Sequence, residues 1–320
     1  MRITLFGQQG IQEKTSAELK HLLTSNMGVI WVDMTGPTED DMRVMREIFN
    51  FHPLAIEDTC NQMQRPKVEE YADYLFVIVN PVSSNTGNRA SFRELDVFVG
   101  KNYIVTVHPS VEPVIDEVRK RVGHPIEDND VSTGYLLYVL VDIVVDSYFP
   151  ILDEVGERID ELESVILAKP SRQALTNLFR LRKTLLELRR VVAPQRDMFN
   201  VLTRHDLPFV DQKLLQYYLR DVYDHLLRIT DMVDTYRDAL TSTVDLYMSA
   251  VSNRLNQIVN RLTVITIILG MLGAVAGFYG MNFEHTWPPF SASWSILFAL
   301  GLMTSVTLLL LAVFRKTGWY

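Results

Sequence analysis

With 320 residues, the chain can form one large domain or two ordinary ones, and a hydrophobic content of 48% is enough to bury a core. A net charge of −8 argues against nucleic acid as a partner, and a single cysteine excludes an internal disulfide. The opening segment MRITLFGQQG has no long apolar core, so we do not expect the N-terminal part to be exported.

The first stretch of the chain mixes strand-like and helix-like segments. β-branched and aromatic runs of strand length occur in RITLF, GVIWVDM, YLFVIVN, LDVFVG and NYIVTVH. Helical spacing occurs in SAELKHLL and EDDMRVMREIF. These patterns predict a cytoplasmic α/β domain over residues 1–125.

Residues 126–208 are predicted to form a cytoplasmic helical hairpin. One helix, with a kink at Pro150, should run to about Ala168. A second helix should begin at about Ser171 and be disturbed at Pro194.

A much longer helix should follow, because no proline occurs between Pro208 and Pro288. We predict a helix from about Val210 to Tyr279, which at 1.5 Å per residue is roughly 105 Å long. Residues 209–261 would be the cytoplasmic part of this stalk helix.

The C-terminal region has the composition of two membrane spans. No charged residue occurs over positions 262–283, and no Asp, Glu, Lys or Arg occurs over positions 285–314. Each run exceeds the roughly 20 apolar residues that cross a bilayer as a helix. The predicted segments are transmembrane helix 1 at 262–281, an outer loop at 282–293, transmembrane helix 2 at 294–314 and a basic tail at 315–320.

Basic residues predict the orientation of this hairpin. Arg254 and Arg261 precede the first span, Arg315 and Lys316 follow the second, and the loop between the spans has neither Lys nor Arg. The positive-inside rule therefore predicts a multi-pass protein of the cytoplasmic (inner) membrane with both termini in the cytoplasm.

A seven-residue repeat runs along the long helix, and such a repeat keeps one face toward a common axis in a supercoiled bundle. Its members are Asp224, Asp231, Asp238, Asp245, Ser252, Val259, Thr266, Gly273 and Gly280. One hypothesis is that this stripe lines a cation pathway where several copies meet. The alternative is a solvated face for the acids and close helix packing for the glycines.

The pore hypothesis extends to neighbours at spacings of three and four. An apolar ring of Val259 and Leu262 would form a gate that closes by dewetting. The predicted pore-lining residues are Asp245, Ser252, Asn256, Val259, Leu262, Thr266, Gly270, Gly273 and Gly277.

The segment AGFYGMNF ends the first span with an amide at Asn282. Magnesium dehydrates reluctantly, so a ring of neutral amide oxygens at the outer mouth could hold the hydrated ion through its water shell. We interpret Gly280, Met281 and Asn282 as a selectivity filter and Glu284 as an outer-mouth acid; an ordinary helix cap is the alternative.

Other motif classes are missing from the sequence. Neither a Gly-rich phosphate loop nor a nucleophile motif occurs. We therefore expect neither enzymatic activity nor an organic cofactor.

Three stretches together resemble one known family. YGMNFE, the distant HPLAIEDTCNQMQRPKVEEYADYLFVI and the ending FRKTGWY are similar to segments of the CorA family of magnesium transporters. The resemblance implies an α+β membrane protein that assembles as a funnel-shaped homopentamer, in which the first span lines the pore and the second surrounds it. It also implies magnesium as cargo, cobalt and nickel as secondary cargo, and closure when magnesium binds between neighbouring cytoplasmic domains.

The resemblance also assigns residues. Asn282 corresponds to the filter amide, Val259 and Leu262 to the hydrophobic gate, and Asp221 to an aspartate of the regulatory magnesium sensor. Asn85 stands where we expect the partner aspartate of that sensor, so we predict weaker inhibition by magnesium, with Asp224 as a compensating ligand. Two alternatives stay open, a zinc transporter of the same architecture and a membrane-anchored sensor or scaffold.

Overall fold

The computed structural model describes the whole chain except residues 8–9, 26, 63, 86–88, 124–130, 205–211, 282–286, 290–293 and 320, and at 83–85, 89–90 and 212–215 it describes the backbone alone. The chain divides into two units. The first consists of Met1–Leu162 and Leu175–Thr243, and the second of Glu163–Ala174 and Val244–Tyr320.

The strands all lie in the first unit. They are β1 (Arg2–Gly7), β2 (Gly10–Lys14), β3 (Gly28–Thr35), β4 (Lys67–Glu70), β5 (Tyr74–Val79), β6 (Val82–Asn85), β7 (Arg89–Phe92), β8 (Leu95–Gly100) and β9 (Tyr103–His108). Seven of them form one sheet in the order β2-β1-β3-β9-β8-β5-β4, and β6 pairs with β7 separately. Within the described sheet, only β3 and β9 run parallel.

The five predicted strands are confirmed as β1, β3, β5, β8 and β9. The prediction missed β2, β4, β6 and β7. Their sequences, GIQEK, KVEE, VSSN and RASF, are short and polar, so they lack the β-branched and aromatic runs on which the prediction depended.

The helices occur in both units. They are α1 (Leu19–Ser25), α2 (Glu39–Glu47), α3 (Pro53–Cys60), α4 (Pro113–Gly123), α5 (Thr133–Asp146), α6 (Phe149–Ala168), α7 (Arg172–Leu202), α8 (Gln212–Gly280) and α9 (Ser295–Lys316). The two predicted N-terminal helices are confirmed. In α2, Thr38 and Asp41 form a reciprocal capping box, with the Thr38 backbone N–H 2.8 Å from the Asp41 carboxylate, which satisfies backbone donors at the helix start.

Aromatic packing holds α3 against one face of the sheet. The ring of Phe51, directly before α3, stacks on Phe98 of β8 at 4.1 Å between centroids, and Phe98 stacks on Phe76 of β5 at 4.5 Å. All three side chains are buried, and each contributes about 1.5–3 kcal/mol by leaving water. At the end of α3, Cys60 is exposed, with its Sγ atom 3.7 Å from Met42 Sδ.

A buried polar network joins the parallel strands to α4. Asp33 of β3 accepts hydrogen bonds from Thr106 at 2.7 Å and from Arg119 of α4 at 2.8 Å, and its Oδ1 lies 3.0 Å from His108 Nε2. Burial alone would raise the pKa of Asp33, but the hydrogen bonds from His108 and Thr106 outweigh it and hold the pKa below the usual 3.8.

His108 lies between two acceptors. Its Nε2 faces Asp33, and its Nδ1 lies 2.5 Å from the backbone carbonyl of Ser110. Burial alone would lower the pKa of His108, but the hydrogen bond to Asp33 and the charge of Asp33 raise it above the usual 6.5. The protonated imidazolium suits this position because both ring nitrogens can then donate.

The predicted kink at Pro150 is in fact a break two residues earlier, where α5 ends at Asp146 and α6 begins at Phe149. Tyr148 explains the break: its side chain is fully buried, and its hydroxyl donates to the Asn80 carbonyl and accepts from Gln195 Nε2, each at 2.6 Å. Pro150 lies in the first turn of α6, where its missing N–H breaks no helical hydrogen bond.

The later helices agree closely with their predicted bounds. α6 ends at Ala168 as expected. The predicted disturbance at Pro194 is wrong, because α7 continues through this residue without interruption. The predicted long helix is confirmed as α8, a single helix of 69 residues.

Candidate ion pathway and cation site

Three helical stretches are long and apolar enough to cross a membrane. In the first, Thr133–Ala168, 61% of the most apolar window is buried within the protein, so this stretch belongs to a protein core. The corresponding windows are only 6% buried in α8 and 0% buried in α9. The last two helices therefore carry apolar surface that their own chain leaves uncovered.

The seven-residue stripe is accessible along its whole length. Each of its nine members, from Asp224 to Gly280, is exposed in the single chain. The part of α8 in the first unit instead packs against that unit through another set of side chains. That buried set consists of Val222, Leu226, Ile229, Val233 and Leu240.

The two predicted gate residues are apolar and exposed. Val259 is 58% exposed and Leu262 is 63% exposed, and Asn256 and Ser252 below them are exposed as well. A bundle of several copies with this face inward would place an apolar ring above a polar one. Their role as a gate stays a prediction.

Within the apolar part of α8, the hydroxyl group of Thr266 can accept a contact from outside the helix, but its proton is already donated. Its hydroxyl donates to the Leu262 carbonyl at 2.9 Å, the usual bond of threonine to the preceding helical turn. Because the proton is used inside the helix, the exposed oxygen keeps its lone pairs for outside groups. Such an acceptor suits a cation or its water shell.

Four glycines near the end of α8, two of them members of the stripe, have open space around them. A Cβ atom added to Gly270, Gly273, Gly277 or Gly280 would meet nothing within 4 Å in the single chain. Packing within the described part of this chain therefore does not require small residues at these positions.

The filter motif begins where the helix stops. α8 ends at Gly280, and the N–H of Met281 still bonds the Phe278 carbonyl at 3.3 Å. Asn282 and Glu284 lie outside the described residues, so their predicted roles stay predictions.

Aromatic side chains gather beyond the motif, a feature the sequence analysis did not use. Trp287 contacts Phe298 at 5.4 Å and Trp294 at 6.3 Å between ring centroids. Aromatic rings of this kind are typical of the membrane–water interface, and they match one end of the two candidate spans at this level.

A second candidate site lies in the first unit, where α5 faces α8. Asp142, Asp221 and His225 each bring a ligand atom within 4.8 Å of the others. His225 Nδ1 lies 3.8 Å from Asp142 Oδ1 and 3.6 Å from Asp146 Oδ1, and this nitrogen has no hydrogen-bond partner among the residues that the structure describes. These separations exceed a hydrogen bond, and two carboxylates with one imidazole form a donor set that binds divalent cations.

Neighbouring side chains hold the two carboxylates of this cluster in position. Arg121 Nη1 lies 2.6 Å from Asp142 Oδ2, and the Tyr138 hydroxyl donates to Asp221 Oδ2 at 3.3 Å. Burial, followed by the charge of Asp142, raises the pKa of Asp146. Burial and the nearby acids also raise the pKa of Tyr138 to about 12, so it stays a neutral donor.

The structure groups the predicted regulatory residues differently from the sequence analysis. Asp221 belongs to the cluster, whereas Asp224 is exposed and is not part of it. Asn85 pairs with Arg89 across β6 and β7, and its side chain is not described. The sequence analysis missed Asp142 and His225.

The family described as "CorA-like Mg2+ transporter protein" matches residues 26–316. The "Putative metal ion transporter YfjQ" of Bacillus subtilis is 34% identical over 91% of this chain and 89% of its own length. The "Cobalt/magnesium transport protein CorA" of Thermotoga maritima is 32% identical over 90% of this chain and 83% of its own length.

A solved structure matches the fold along the whole chain. The CorA magnesium transporter from Methanocaldococcus jannaschii aligns with a TM-score of 0.82 over 100% of this chain and 99% of that chain, at 24% identity.

Proposed function

This chain belongs to the CorA-like Mg²⁺ transporter family, and on that premise we propose that it carries magnesium across the cytoplasmic membrane, with cobalt and nickel as secondary cargo. It is a transporter of divalent cations. Its similar relatives are named as transporters of metal ions, in line with the absence of any catalytic motif.

The observation that carries the proposal is the exposed stripe of α8. An acidic and small-residue face needs water, whereas the apolar sides of the same helix need lipid or protein. A closed ring of copies satisfies both requirements, because the stripe then faces a central aqueous path. We propose five copies, as the family resemblance implies, with both termini in the cytoplasm.

Within that ring, Gly280, Met281 and Asn282 would form the outer filter and Glu284 would attract cations to it. The filter would hold hydrated magnesium through neutral oxygens, so that the ion is not trapped by charge. Val259 and Leu262 would close the path at the cytoplasmic boundary by excluding water.

We further propose that magnesium regulates the channel at Asp142, Asp221 and His225. The orphaned Nδ1 of His225 and the facing carboxylates fit a divalent ion in charge and donor type. Such an ion stabilises the closed state only if it binds that state more tightly. This site replaces the pairing of Asp221 with Asn85 as our preferred sensor.

Uptake into proteoliposomes tests the proposed function. Dye-reported magnesium uptake should occur with the wild-type chain and fall at least about tenfold in Asn282→Ala, because the filter amide would be lost. Size measurement of the purified complex controls for assembly. Wild-type uptake in an assembled Asn282→Ala complex would refute the filter assignment.

The same vesicles decide between the alternatives. A zinc transporter would take up zinc in preference to magnesium, and a membrane-anchored scaffold would show no uptake of either ion. The magnesium and cobalt transport named for the similar relatives favours the proposed cargo over zinc.

A further inference from the structure

Arg121 of α4 occupies one side of the cation cluster. Its Nη1 atom donates a charge-assisted hydrogen bond of 2.6 Å to Asp142 Oδ2. The other oxygen of the same carboxylate, Oδ1, faces His225 Nδ1 at 3.8 Å. Asp142 therefore presents one oxygen to a cation of its own chain and the other to the position proposed for a divalent ion.

The two partners of this ion pair differ in burial. The side chain of Asp142 is 5% exposed, whereas that of Arg121 is 42% exposed. A buried carboxylate without a counter-charge is strongly destabilising, so Asp142 requires a cation beside it. Because Arg121 reaches the carboxylate from the solvent side, its guanidinium can leave without being buried elsewhere.

Arg121 also has a second partner close by. Its guanidinium carbon lies 5.9 Å from the centre of the Tyr138 ring, within the range of a cation–π contact. The Tyr138 hydroxyl in turn donates to Asp221 Oδ2 at 3.3 Å. An Arg121 side chain that releases Asp142 can therefore keep its contact with Tyr138.

The charges of the cluster indicate how Arg121 affects a bound ion. Three carboxyl groups lie beside His225, those of Asp142, Asp146 and Asp221. The affinity of such a site for a divalent cation rises with the number of charged ligands, and it falls when another cation is held close by, because like charges repel. Arg121 thus opposes ion binding at the same carboxylate whose charge it compensates.

We propose that Arg121 competes with the regulatory ion for Asp142. While the cluster holds no ion, the guanidinium compensates the buried carboxylate. When a divalent ion binds, the guanidinium releases Asp142 and remains over the Tyr138 ring. The competition raises the ion concentration that closure requires. The inference rests on the proposed magnesium sensor, although not on the filter or on the cargo.

Manganese binding to the full-length complex tests the competition. Mn²⁺ prefers the same oxygen-rich sites as magnesium, and free Mn²⁺ is followed by electron paramagnetic resonance. The component of binding that Asp221→Asn abolishes is assigned to the cluster. Arg121→Gln should tighten this component about tenfold, because a repelling charge is removed. Arg121→Lys keeps the charge and should change it less than about threefold.

Lys120→Gln is the matched control. It removes one positive charge from the neighbouring position of α4, where the ammonium group pairs with Glu117 at 3.1 Å, and it should change manganese affinity less than about twofold. Equal tightening in Lys120→Gln and Arg121→Gln overturns the proposal. Unchanged or weaker binding in Arg121→Gln also overturns it, because Arg121 would then only position Asp142.

A measurement on the unmodified sequence does not depend on the folding of any variant. Phenylglyoxal modifies accessible guanidinium groups, and mass spectrometry of the peptides gives the extent of modification at each arginine. Magnesium should raise the modification of Arg121 at least about twofold, because the ion displaces it from Asp142. Arg119, which donates to Asp33 at 2.8 Å, should not change. Equal or lower modification of Arg121 in magnesium overturns the proposal.

Failure of the sensor and failure of the competition give different results. If no manganese component depends on Asp221, the sensor is refuted, and the competition with it. If a component depends on Asp221 but is the same in Arg121→Gln, the competition alone is refuted. Magnesium uptake by the wild-type chain tests the transport function separately from both.

Discussion

The part of α8 that belongs to the first unit, residues 212–243, and its later apolar part, which begins near Val259, use the same residue types in opposite ways. Leu226 is completely buried and Val233 is 2% exposed, whereas Leu262 is 63% exposed and Val259 is 58% exposed. One helix thus contains leucines that complete a core and leucines that nothing in the chain covers. Apolar character alone does not say which partner a helix face requires.

The difference shows which part of the protein is self-sufficient. The part of α8 in the first unit buries its apolar side chains within that unit, so its packing is provided by one chain. The later apolar part needs lipid or other copies, so its properties belong to an assembly in a bilayer.

The largest effect is expected from matched leucine truncations. Leu226→Ala should lower the opening free energy of the β3 and β9 amides by about 3 kcal/mol, because it leaves a cavity in a packed core. Leu262→Ala should change that value by less than about 0.5 kcal/mol. Hydrogen exchange in detergent measures both, and equal losses would contradict the distinction.

A gate variant should act on conduction with little effect on stability. Leu262→Gly should raise the magnesium leak at high internal magnesium about tenfold or more, because the dewetting barrier is shortened. Ile267→Gly is the control, since it removes an apolar side chain about 140° around the same helix. An unchanged leak in the first variant, or an equal rise in both, would place the gate elsewhere.

Closure by magnesium should depend on the cation cluster of Asp142, Asp221 and His225 in the first unit. His225→Ala and Asp221→Asn should each shift closure to about tenfold higher cytoplasmic magnesium, because each removes a ligand from the cluster. Asp224→Asn, on the same helix outside the cluster, should shift it less than about twofold. Closure is measured as the fall in uptake with rising internal magnesium. A larger shift in Asp224→Asn than in the cluster variants would contradict the site. A larger shift in Asn85→Asp, which gains an acid, would contradict it as well.

The smallest expected effect is a pH response confined to the first unit. The pKa of His108 is raised, so its contribution to stability is complete below about pH 6.5 and is lost as the pH rises through the raised value. The pKa of Asp33 is lowered, so its contribution is present above about pH 3.8 and is lost at more acid pH.

His108→Gln should therefore cost more at pH 6 than at pH 9, by about 1 kcal/mol in the opening free energy of β9 amides. The amides of α9 should show no such difference. A cost that is independent of pH would mean that the imidazole is neutral in the folded protein.

Much of the fold could be predicted because its signals are local. The strands rich in β-branched residues, the end of α6 and the extent of α8 follow from composition and from proline positions. The polar strands β2 and β4 could not be found this way, because their pairing depends on neighbours distant in sequence. The break before α6 depends on the buried hydroxyl of Tyr148, whose partners Asn80 and Gln195 are likewise distant.

The candidate sites divide in the same manner. The stripe repeats every seven residues along the sequence, so its shared exposed face could be predicted from the sequence alone. The cation cluster combines α5 with α8, and only the spacing of four residues between Asp221 and His225 gave a local signal. Nothing in the neighbourhood of Asp142 in the sequence indicates that it meets them.

The exposed cysteine at the end of α3 gives a means of counting subunits. Since Cys60 is the only cysteine of the chain, a spin label placed there marks each copy once without any mutation. Burial and nearby acids raise the pKa of its thiol, so labelling is best done at alkaline pH. In a closed symmetric ring, five labels give two label-to-label distances in a ratio of about 1.6, whereas four labels give a ratio of about 1.4. A single distance measurement on the native sequence therefore reports the number of copies directly.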